Sequence, residues 1–298
     1  MKNQQMNSIA LFIMGKKGLA CLETMLNCIS VELKFVIYAT DKNVEKDYAD
    51  EIIALCNKHN VLCYNRNSFD ETLLNSVSYY IAISWRWLIK SDLEKLIVFH
   101  DSILPKYRGF NPLVTALING DEEIGVTAIF ANKEFDNGAI LGTEKTPISY
   151  PIKISEAIDI ISVCYQDLVM KIGKEIANNT LVATPQDENQ ATFSLWRDEE
   201  DYYIDWSLDA LVLERTINAL GFPYGGARSK MDDKIIILDE VKALNDVKIE
   251  NRTSGKILFL DNNQPTIVCG NGLIKIEKAH YLENGEEVNF KKFRTRLK

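Results

Sequence analysis

The stretch IALFIMGKKGLACLETML (Ile9–Leu26) runs from an apolar segment through a glycine-containing turn into a helical pattern. The alternation continues downstream, with apolar runs at Phe35–Ala39 and Val61–Tyr64 and an amphipathic helical pattern at Tyr48–Lys58. Short, nearly continuous apolar strands that alternate with helices are typical of a parallel sheet covered on both faces. The N-terminal part of the chain therefore predicts a βαβαβ unit in a Rossmann-like, doubly wound, mostly parallel α/β fold.

Further apolar runs extend this sheet, and a change from apolar to polar composition marks the end of the domain. We predict strands at Tyr79–Ile83, Leu96–Phe99 and Val126–Ala131, and a long helix at Ser155–Asn178. The polar, proline-containing segment TPQDENQ (Thr184–Gln190) then predicts a linker. We therefore predict two domains, at residues 1–183 and 184–298.

The C-terminal segment reads as one helix followed by short strands. The helix is expected to start at an N-cap Ser207 and to stop at Gly221. The predicted strands are Lys234–Leu238, Lys256–Leu260, Thr266–Cys269 and Leu273–Ile276. The dipeptide Asn271-Gly272 between the last two favours a type I′ hairpin turn. These features predict a small β-rich, OB-like domain.

Composition excludes several classes of partner. The 298 residues include 34 Lys and Arg against 42 Asp and Glu, for a net charge of -8, so no overall field attracts nucleic acid. The apolar run Ile9–Met14 is too short for a signal peptide or a membrane span, which favours a cytoplasmic protein. The cysteines are scattered without a CxxC and only three histidines are present, so we expect reduced thiols and no metal site.

The residues that suggest chemistry lie in one segment, FHDSILPKYRGFNPLVTALINGDEEIGVTAIFANKEFDNGAIL (Phe99–Leu141). His100 directly follows an apolar strand, and Asp136 lies in a second, glycine-containing loop. An imidazole that shuttles a proton beside a carboxylate that polarises it suits acyl transfer at neutral pH. Taken singly, His100 is also typical of a hydrogen-bonded boundary residue and Asp136 of a turn.

Taken as a whole, the segment resembles the folate-dependent formyltransferases, which share the pattern NxHxSLLPxYRG followed by GxTxH and DxG. The resemblance continues in ATFSLWRDEEDYYIDW (Ala191–Trp206), NALGFPYGGA (Asn218–Ala227) and IVCGNG (Ile267–Gly272). The matching residues in the segment are His100, Ser102, Leu104, Pro105, Tyr107, Arg108, Gly109, Gly125, Thr127, Asp136 and Gly138.

The resemblance implies N10-formyltetrahydrofolate as co-substrate, with His100 and Asp136 catalytic and no metal. The implied folate-binding residues are Arg86, Trp87, Leu88, Asn132, Phe135 and Asp136. The implied acceptor-binding residues are Ser102, Lys106, Tyr107, Arg108, Gly109, Asn111, Phe222 and Tyr224. Without the family, the aromatic residues of SWRWLI (Ser84–Ile89) suit a partly buried cluster, and those of GFPYGG suit packing at a helix end.

One departure from the family pattern affects the chemistry. The family has an asparagine two residues before the histidine, where this chain has Val98, which cannot donate a hydrogen bond to an oxyanion. The loss of one such donor typically costs about 10²–10³ in rate. Three explanations stay open: a substitute donor such as Asn111 or a backbone N–H, slow turnover on His100 alone, or a protein that only binds.

The resemblance also helps to predict the acceptor of the formyl group. Family members that act on tRNA carry a Gly-, Arg- and Lys-rich insertion after the second strand, whereas here Ala39–Glu51 is short and acidic. Glycinamide ribonucleotide enzymes lack the second domain. We therefore expect a nucleotide-linked amino sugar as acceptor, with methionyl-tRNA as the alternative. The resemblance further implies a homodimer and a place in lipopolysaccharide O-antigen biosynthesis.

Overall fold

The computed structural model describes residues 7–27, 31–41, 44, 46–90, 92–134 and 136–298. Contacts divide the chain into two compact units. Unit 1 comprises Met1–Leu113, Glu123–Pro147 and Ile158–Leu195, and unit 2 comprises Val114–Glu122, Ile148–Ala157 and Trp196–Lys298. Residues 184–195 therefore group with unit 1 by contact, while a functional boundary at residue 184 stays a prediction.

The strands of unit 1 include those of the predicted Rossmann-like sheet. They are β1 (Ser8–Ile13), β2 (Glu32–Tyr38), β3 (Leu62–Asn65), β4 (Tyr79–Ile83), β5 (Leu96–His100), β6 (Arg108–Gly109), β7 (Glu123–Phe130), β8 (Ile140–Pro147) and β9 (Phe193–Ser194). Seven of them form one sheet in the order β3-β2-β1-β4-β5-β7-β8. The pairs from β3 to β5 are parallel, and those of β7 and β8 are antiparallel. The fold class predicted from the sequence is confirmed.

Alternating residues of the central strands form two buried layers. Ala10 and Phe12 of β1 join an aromatic-rich cluster on one face, whereas Ile9, Leu11 and Ile13 point to the other face and are fully buried. The helices are α1 (Gly15–Leu26), α2 (Ala49–Lys58), α3 (Pro112–Asn119) and α4 (Ile154–Asn178). Helix α4 confirms the long helix predicted at Ser155–Asn178, and one of its faces is buried at Ala157, Ile161, Cys164, Leu168 and Ile172. No helix among the described residues combines the length and apolarity that a bilayer span requires.

Unit 2 contains an antiparallel sheet, as the predicted β-rich domain requires. Its elements are α5 (Ala210–Leu220), β10 (Ala227–Met231), β11 (Lys234–Leu244), β12 (Ile257–Asp261), β13 (Gln264–Val268) and β14 (Leu273–Tyr281). The strand order is β10-β11-β14-β13-β12. Strand β10 was missed from the sequence because its segment, ARSKM, carries no apolar run.

Two local predictions in unit 2 are wrong. Helix α5 is capped by Asp209, whose carboxylate accepts from Leu211 N–H at 2.8 Å, and not by Ser207, whose own N–H is held by Asp205. The β13–β14 connection is a hairpin, but only Gly272 of the Asn271-Gly272 pair has positive φ, so it is not a type I′ turn. Nδ2 of Asn271 instead donates to Oδ2 of Asp209 at 2.6 Å. This tertiary hydrogen bond outweighs the local preference of the Asn-Gly pair for a type I′ turn.

Candidate active site

The imidazole of His100 is fixed at the carboxyl end of β5, the edge where open α/β sheets bind their ligands. Only 7% of the residue is exposed, and Nε2 lies 2.7 Å from the carbonyl oxygen of Tyr107. Because a carbonyl only accepts hydrogen bonds, this partner assigns the ring proton to Nε2. In the neutral ring, Nδ1 then carries the lone pair that can accept a proton.

The carboxylate of Asp136 faces that nitrogen. Its Oδ1 lies 3.6 Å from Nδ1 of His100, and its Oδ2 accepts from the N–H of Gly109 at 2.8 Å. Asp136 itself has φ of 56°, a left-handed conformation that Asp adopts more readily than most residues. The structure therefore brings the two predicted catalytic side chains together, with the carboxylate placed to stabilise an imidazolium.

Two glycines permit this close approach of loops. Gly109 has φ of 100°, and a Cβ added there would lie 2.5 Å from the carbonyl oxygen of Ser194. A Cβ on Gly138 would overlap the carbonyl oxygen of Phe130. Side chains at these positions would push Gly109 away from Ser194 and Gly138 away from Phe130, and so would shift the two loops that hold the Asp136 carboxylate in place.

Thr127 supports the loop that follows His100. It lies opposite His100 in the β5–β7 ladder and is fully buried. Its Oγ1 donates to the carbonyl of Ser102 at 2.7 Å and accepts from the N–H of Leu104 at 3.1 Å. The threonine of the family pattern thus fixes the turn after the histidine, whereas the buried hydroxyl of Ser102 has no hydrogen-bond partner among the described residues.

A largely buried ionic cluster lies directly after His100 in the chain. The carboxylate of Asp101 is 2.5 Å from Nζ of Lys17 and accepts from the hydroxyl of Tyr165 at 2.5 Å. Burial raises the pKa of Asp101, but the Lys17 ammonium and the hydrogen bonds from Lys17 and Tyr165 outweigh it, so this pKa lies below its usual value. Burial, with Asp101 nearby, holds the pKa of Tyr165 well above its usual value. The sequence does not reveal this cluster, because the pattern around Lys17 predicts only a turn between a strand and a helix.

The predicted acceptor-binding residues around β6 divide into buried and exposed ones. Arg108 is 3% exposed, and its guanidinium donates to both carboxylate oxygens of Glu188 at 2.8 Å. These hydrogen bonds hold the pKa of Arg108 above its usual value. Tyr107 is buried and supplies the carbonyl that holds His100, whereas Lys106 and Asn111 are exposed. Contacts of these four residues with an acceptor stay predictions.

Val98 lies two residues before His100 on the same strand, and so on the same face of the sheet. It pairs with Ala82 of β4 and Ile129 of β7, and it packs against the aromatic-rich cluster. At the position of the family asparagine, this chain therefore has an apolar side chain that packs against its neighbours.

The predicted folate-binding residues fall in two segments of unit 1. In the first, Arg86 pairs with Asp41 at 2.7 Å, the ring of Trp87 lies 5.3 Å from that of Trp85, and Leu88 is 89% exposed. In the second, Asn132 accepts from the N–H of Glu134 at 3.0 Å. Phe135 lies outside the described residues. Binding of folate by these residues stays a prediction.

Phe222 and Tyr224, the remaining predicted acceptor-binding residues, follow α5 in unit 2. Phe222 is 57% exposed, and the N–H of Tyr224 donates to the carbonyl of Gly221 at 2.9 Å. Their part in acceptor binding stays a prediction. Among the described residues of both units, no group of His, Cys, Asp and Glu is arranged to hold a metal ion.

Comparison with known proteins relates both parts of the chain to formyl transferases. The family profile described as Formyl transferase matches residues 73–157, and the profile described as Formyl transferase, C-terminal domain, matches residues 197–297. Methionyl-tRNA formyltransferase of Clostridium novyi (strain NT) is 27% identical over 219 residues, which cover 72% of this chain and 70% of that protein.

Solved structures share the fold at lower identity. An N-formyltransferase from Helicobacter canadensis, crystallised with folinic acid and dTDP-3-aminofucose, superposes with a TM-score of 0.69 at 16% identity, covering 91% of this chain and 99% of that one. HypX from Aquifex aeolicus superposes with a TM-score of 0.61 at 17% identity and covers 96% of this chain, which spans only 46% of HypX. Because the two formyl transferase profiles match in order along one chain, this protein belongs to the formyl transferase family and is an enzyme of formyl transfer.

Proposed function

We propose that this enzyme transfers a formyl group from N10-formyltetrahydrofolate to the amine of a nucleotide-linked amino sugar. The observation that carries the chemistry is the arrangement of His100, with Nε2 bound to the Tyr107 carbonyl and Nδ1 facing Asp136 at 3.6 Å. We further expect it to act as a cytoplasmic homodimer.

The imidazole supplies the proton transfer that the reaction requires. The folate, when bound, supplies the formyl carbon; the acceptor amine forms a bond to that carbon, and the bond from the carbon to N10 of the folate breaks. Nδ1 of His100 takes the proton that the attacking amine loses, and the imidazolium then returns a proton to the departing N10. The Asp136 carboxylate stabilises the imidazolium between these two steps, because opposite charges attract strongly at a largely buried site.

Several side chains near the C-terminal end of β4 suit a flat, polar ring such as a pteridine. The rings of Phe12 and Trp87 lie 5.2 and 5.3 Å from that of Trp85, and Arg66 lies 4.0 Å from the centroid of Trp87. Among the described residues, the buried Oγ of Ser84 and Nε1 of Trp85 have no hydrogen-bond partner. Aromatic surface beside unsatisfied polar atoms supports folate binding here, because buried polar groups usually find partners.

The oxyanion still requires a hydrogen-bond donor, because Val98 supplies none. We propose that Asn111, in the loop before α3, supplies it on substrate binding. Asn111 is exposed, has φ of 50° and lies two residues after Gly109, whose N–H binds the Asp136 carboxylate. A backbone N–H of the same loop is the second candidate for this role.

Charge favours the sugar over the tRNA. The segment after β2 lines a depression of about 410 Å3 in unit 1, formed by Asp41, Val44, Lys46, Asp47, Tyr48, Asp50 and Glu51. The ammonium of Lys46 is paired with Glu51 at 2.6 Å, and the carboxylates outnumber the cations. Such a surface repels the phosphates of an acceptor arm. The exposed ring of Phe222 offers a stacking surface for the nucleotide base.

Methionyl-tRNA is the second candidate acceptor, because the relative from Clostridium novyi carries that activity in its name. The two acceptors are distinguished by supplying N10-formyltetrahydrofolate with a panel of nucleotide amino sugars, or with charged initiator tRNA. We expect tetrahydrofolate release and a mass gain of one formyl group on a nucleotide sugar only. Formylation of the tRNA alone would establish the alternative, and folate binding without any product would identify a protein that only binds.

A further inference from the structure

The segment 184–195, called the strap below, binds both the loop that follows His100 and the loop that carries Asp136. At one end, Thr184 and Ile140 exchange backbone hydrogen bonds of 2.7 and 2.8 Å just after the Asp136 loop. At the other, the hydroxyl of Thr192 accepts from the N–H of Tyr107 at 2.9 Å. A segment that the sequence predicts as a linker is therefore part of the site.

One side chain of the strap joins the two loops directly. Nε2 of Gln186 donates to the carbonyls of Asp136 and Gly138, each at 2.8 Å. Its Oε1 accepts from Nε and Nη2 of Arg108 at 3.1 and 2.9 Å. The amide thus uses both of its donor hydrogens and its acceptor in four hydrogen bonds.

The partners of Gln186 are themselves held in place. Arg108 is fixed by Glu188, and it directly precedes Gly109, whose N–H binds the Asp136 carboxylate. The two carbonyls that Gln186 binds flank the turn in which Asp136 has positive φ. A backbone in that conformation needs external support, because residues other than glycine adopt it less readily than the extended or helical conformations.

We propose that Gln186 is a positioning residue that sets the distance between Asp136 and His100 by fastening the Asp136 loop to Arg108. This role rests on the proposed formyl transfer, since it acts through the same pair. Gln186 touches neither reacting side chain, so its removal moves the carboxylate without removing it. A misplacement of about 1 Å costs on the order of 100-fold in rate.

Three variants separate this role from general support of the fold. Gln186→Glu keeps the acceptor for Arg108 but places a carboxylate against the two carbonyls, whereas Gln186→Met removes every hydrogen bond. Gln190→Glu is the matched control, because Gln190 lies in the same strap, is exposed, and among the described residues its side chain hydrogen-bonds only to Asp187, at 2.9 Å. We expect both Gln186 variants to lower kcat about 10- to 100-fold with little change in KM, and Gln190→Glu to match the wild type.

Hydrogen exchange supplies a second readout that does not depend on turnover. We expect Gln186→Glu to speed amide exchange in peptides covering residues 105–112 and 132–141, and Gln190→Glu to leave it unchanged. A slow Gln186→Met beside a fully active Gln186→Glu would overturn the proposal, because Gln186 would then act only through Arg108. Unchanged amide exchange in Gln186→Glu would also overturn the proposed role of Gln186, and this result does not depend on turnover. A wild type that formylated no acceptor would count against the proposed function alone.

Discussion

The N–H of Gly109 donates to Oδ2 of Asp136 at 2.8 Å, so the loop that follows His100 also orients the carboxylate that faces it. Proline lacks a backbone N–H but cannot adopt the φ of 100° found at Gly109, so the better probe is a side chain that shifts this amide because it does not fit. The glycine therefore offers a direct test of how closely the two loops must approach.

Gly109→Ala is expected to lower both stability and activity. The added Cβ would lie 2.5 Å from the carbonyl oxygen of Ser194, at a φ of 100° that alanine rarely adopts. We expect a loss of about 1–3 kcal/mol in the free energy of unfolding and a clear fall in kcat. Gly15→Ala is the control, because Gly15 also has positive φ but no atom lies within 4 Å of its added Cβ. Equal activity in the two variants would contradict the requirement for close approach.

Asn111→Ala tests the substitute donor. We expect kcat to fall about 10²–10³-fold, the usual cost of one lost oxyanion donor, with KM little changed. Adding Val98→Asn to Asn111→Ala restores a donor at the family position and is expected to recover part of the rate. Asn60→Ala is the control, because Asn60 is likewise exposed and left-handed, at φ of 55°. Full activity of Asn111→Ala would exclude its side chain and leave a backbone N–H as the donor.

The sequence predicts the buried elements well and the polar ones poorly. The apolar strands and α4 were located within a few residues, because burial on both faces leaves a strong pattern. Strand β8 (Ile140–Pro147) was missed because it lies at the edge of its sheet and is largely polar. Hydrophobic pattern alone cannot detect a strand that is held mainly by backbone hydrogen bonds to one neighbour.

In the candidate site, too, the sequence predicts some features and not others. The family pattern indicated that His100 and Asp136 meet, and the structure brings them together. The tautomer of His100 could not be predicted, because it depends on a carbonyl placed by the turn at Tyr107. The contacts of Gln186 were also invisible, since a glutamine in a polar segment has no spacing that distinguishes it from solvated neighbours.

Asp101→Asn tests the buried ionic cluster. Removing one member of a buried pair leaves the Lys17 ammonium uncompensated, so we expect the free energy of unfolding to fall by about 3 kcal/mol at neutral pH. Asp159→Asn is the control, because Asp159 pairs with Lys16, the residue before Lys17, and more than half of the Asp159 side chain is exposed. We expect this substitution to change the free energy of unfolding little. Chemical denaturation measures both, and equal effects would show that burial does not matter here.

The pH dependence of stability follows from the same carboxylate. Because folding lowers the pKa of Asp101, its stabilisation is present above the ordinary carboxyl pKa of about 4 and is lost as the pH falls through the lower folded value. The wild type should therefore lose stability on acidification more steeply than Asp101→Asn. Denaturation midpoints measured across this acidic range provide the test, and parallel curves would contradict the assigned pKa direction.

A double-mutant cycle on His100 and Asp136 tests the central claim that the two side chains act on one proton. We expect His100→Asn and Asp136→Asn each to lower single-turnover formyl transfer about 10²–10⁴-fold, and the double variant to be no slower than the slower single one. The pair His280 and Asp239 of unit 2, joined at 2.8 Å, provides the control cycle with no expected loss of rate. If the two losses instead multiply in the double variant, or if either single variant keeps the wild-type rate, the imidazole and the carboxylate do not share the proton transfer.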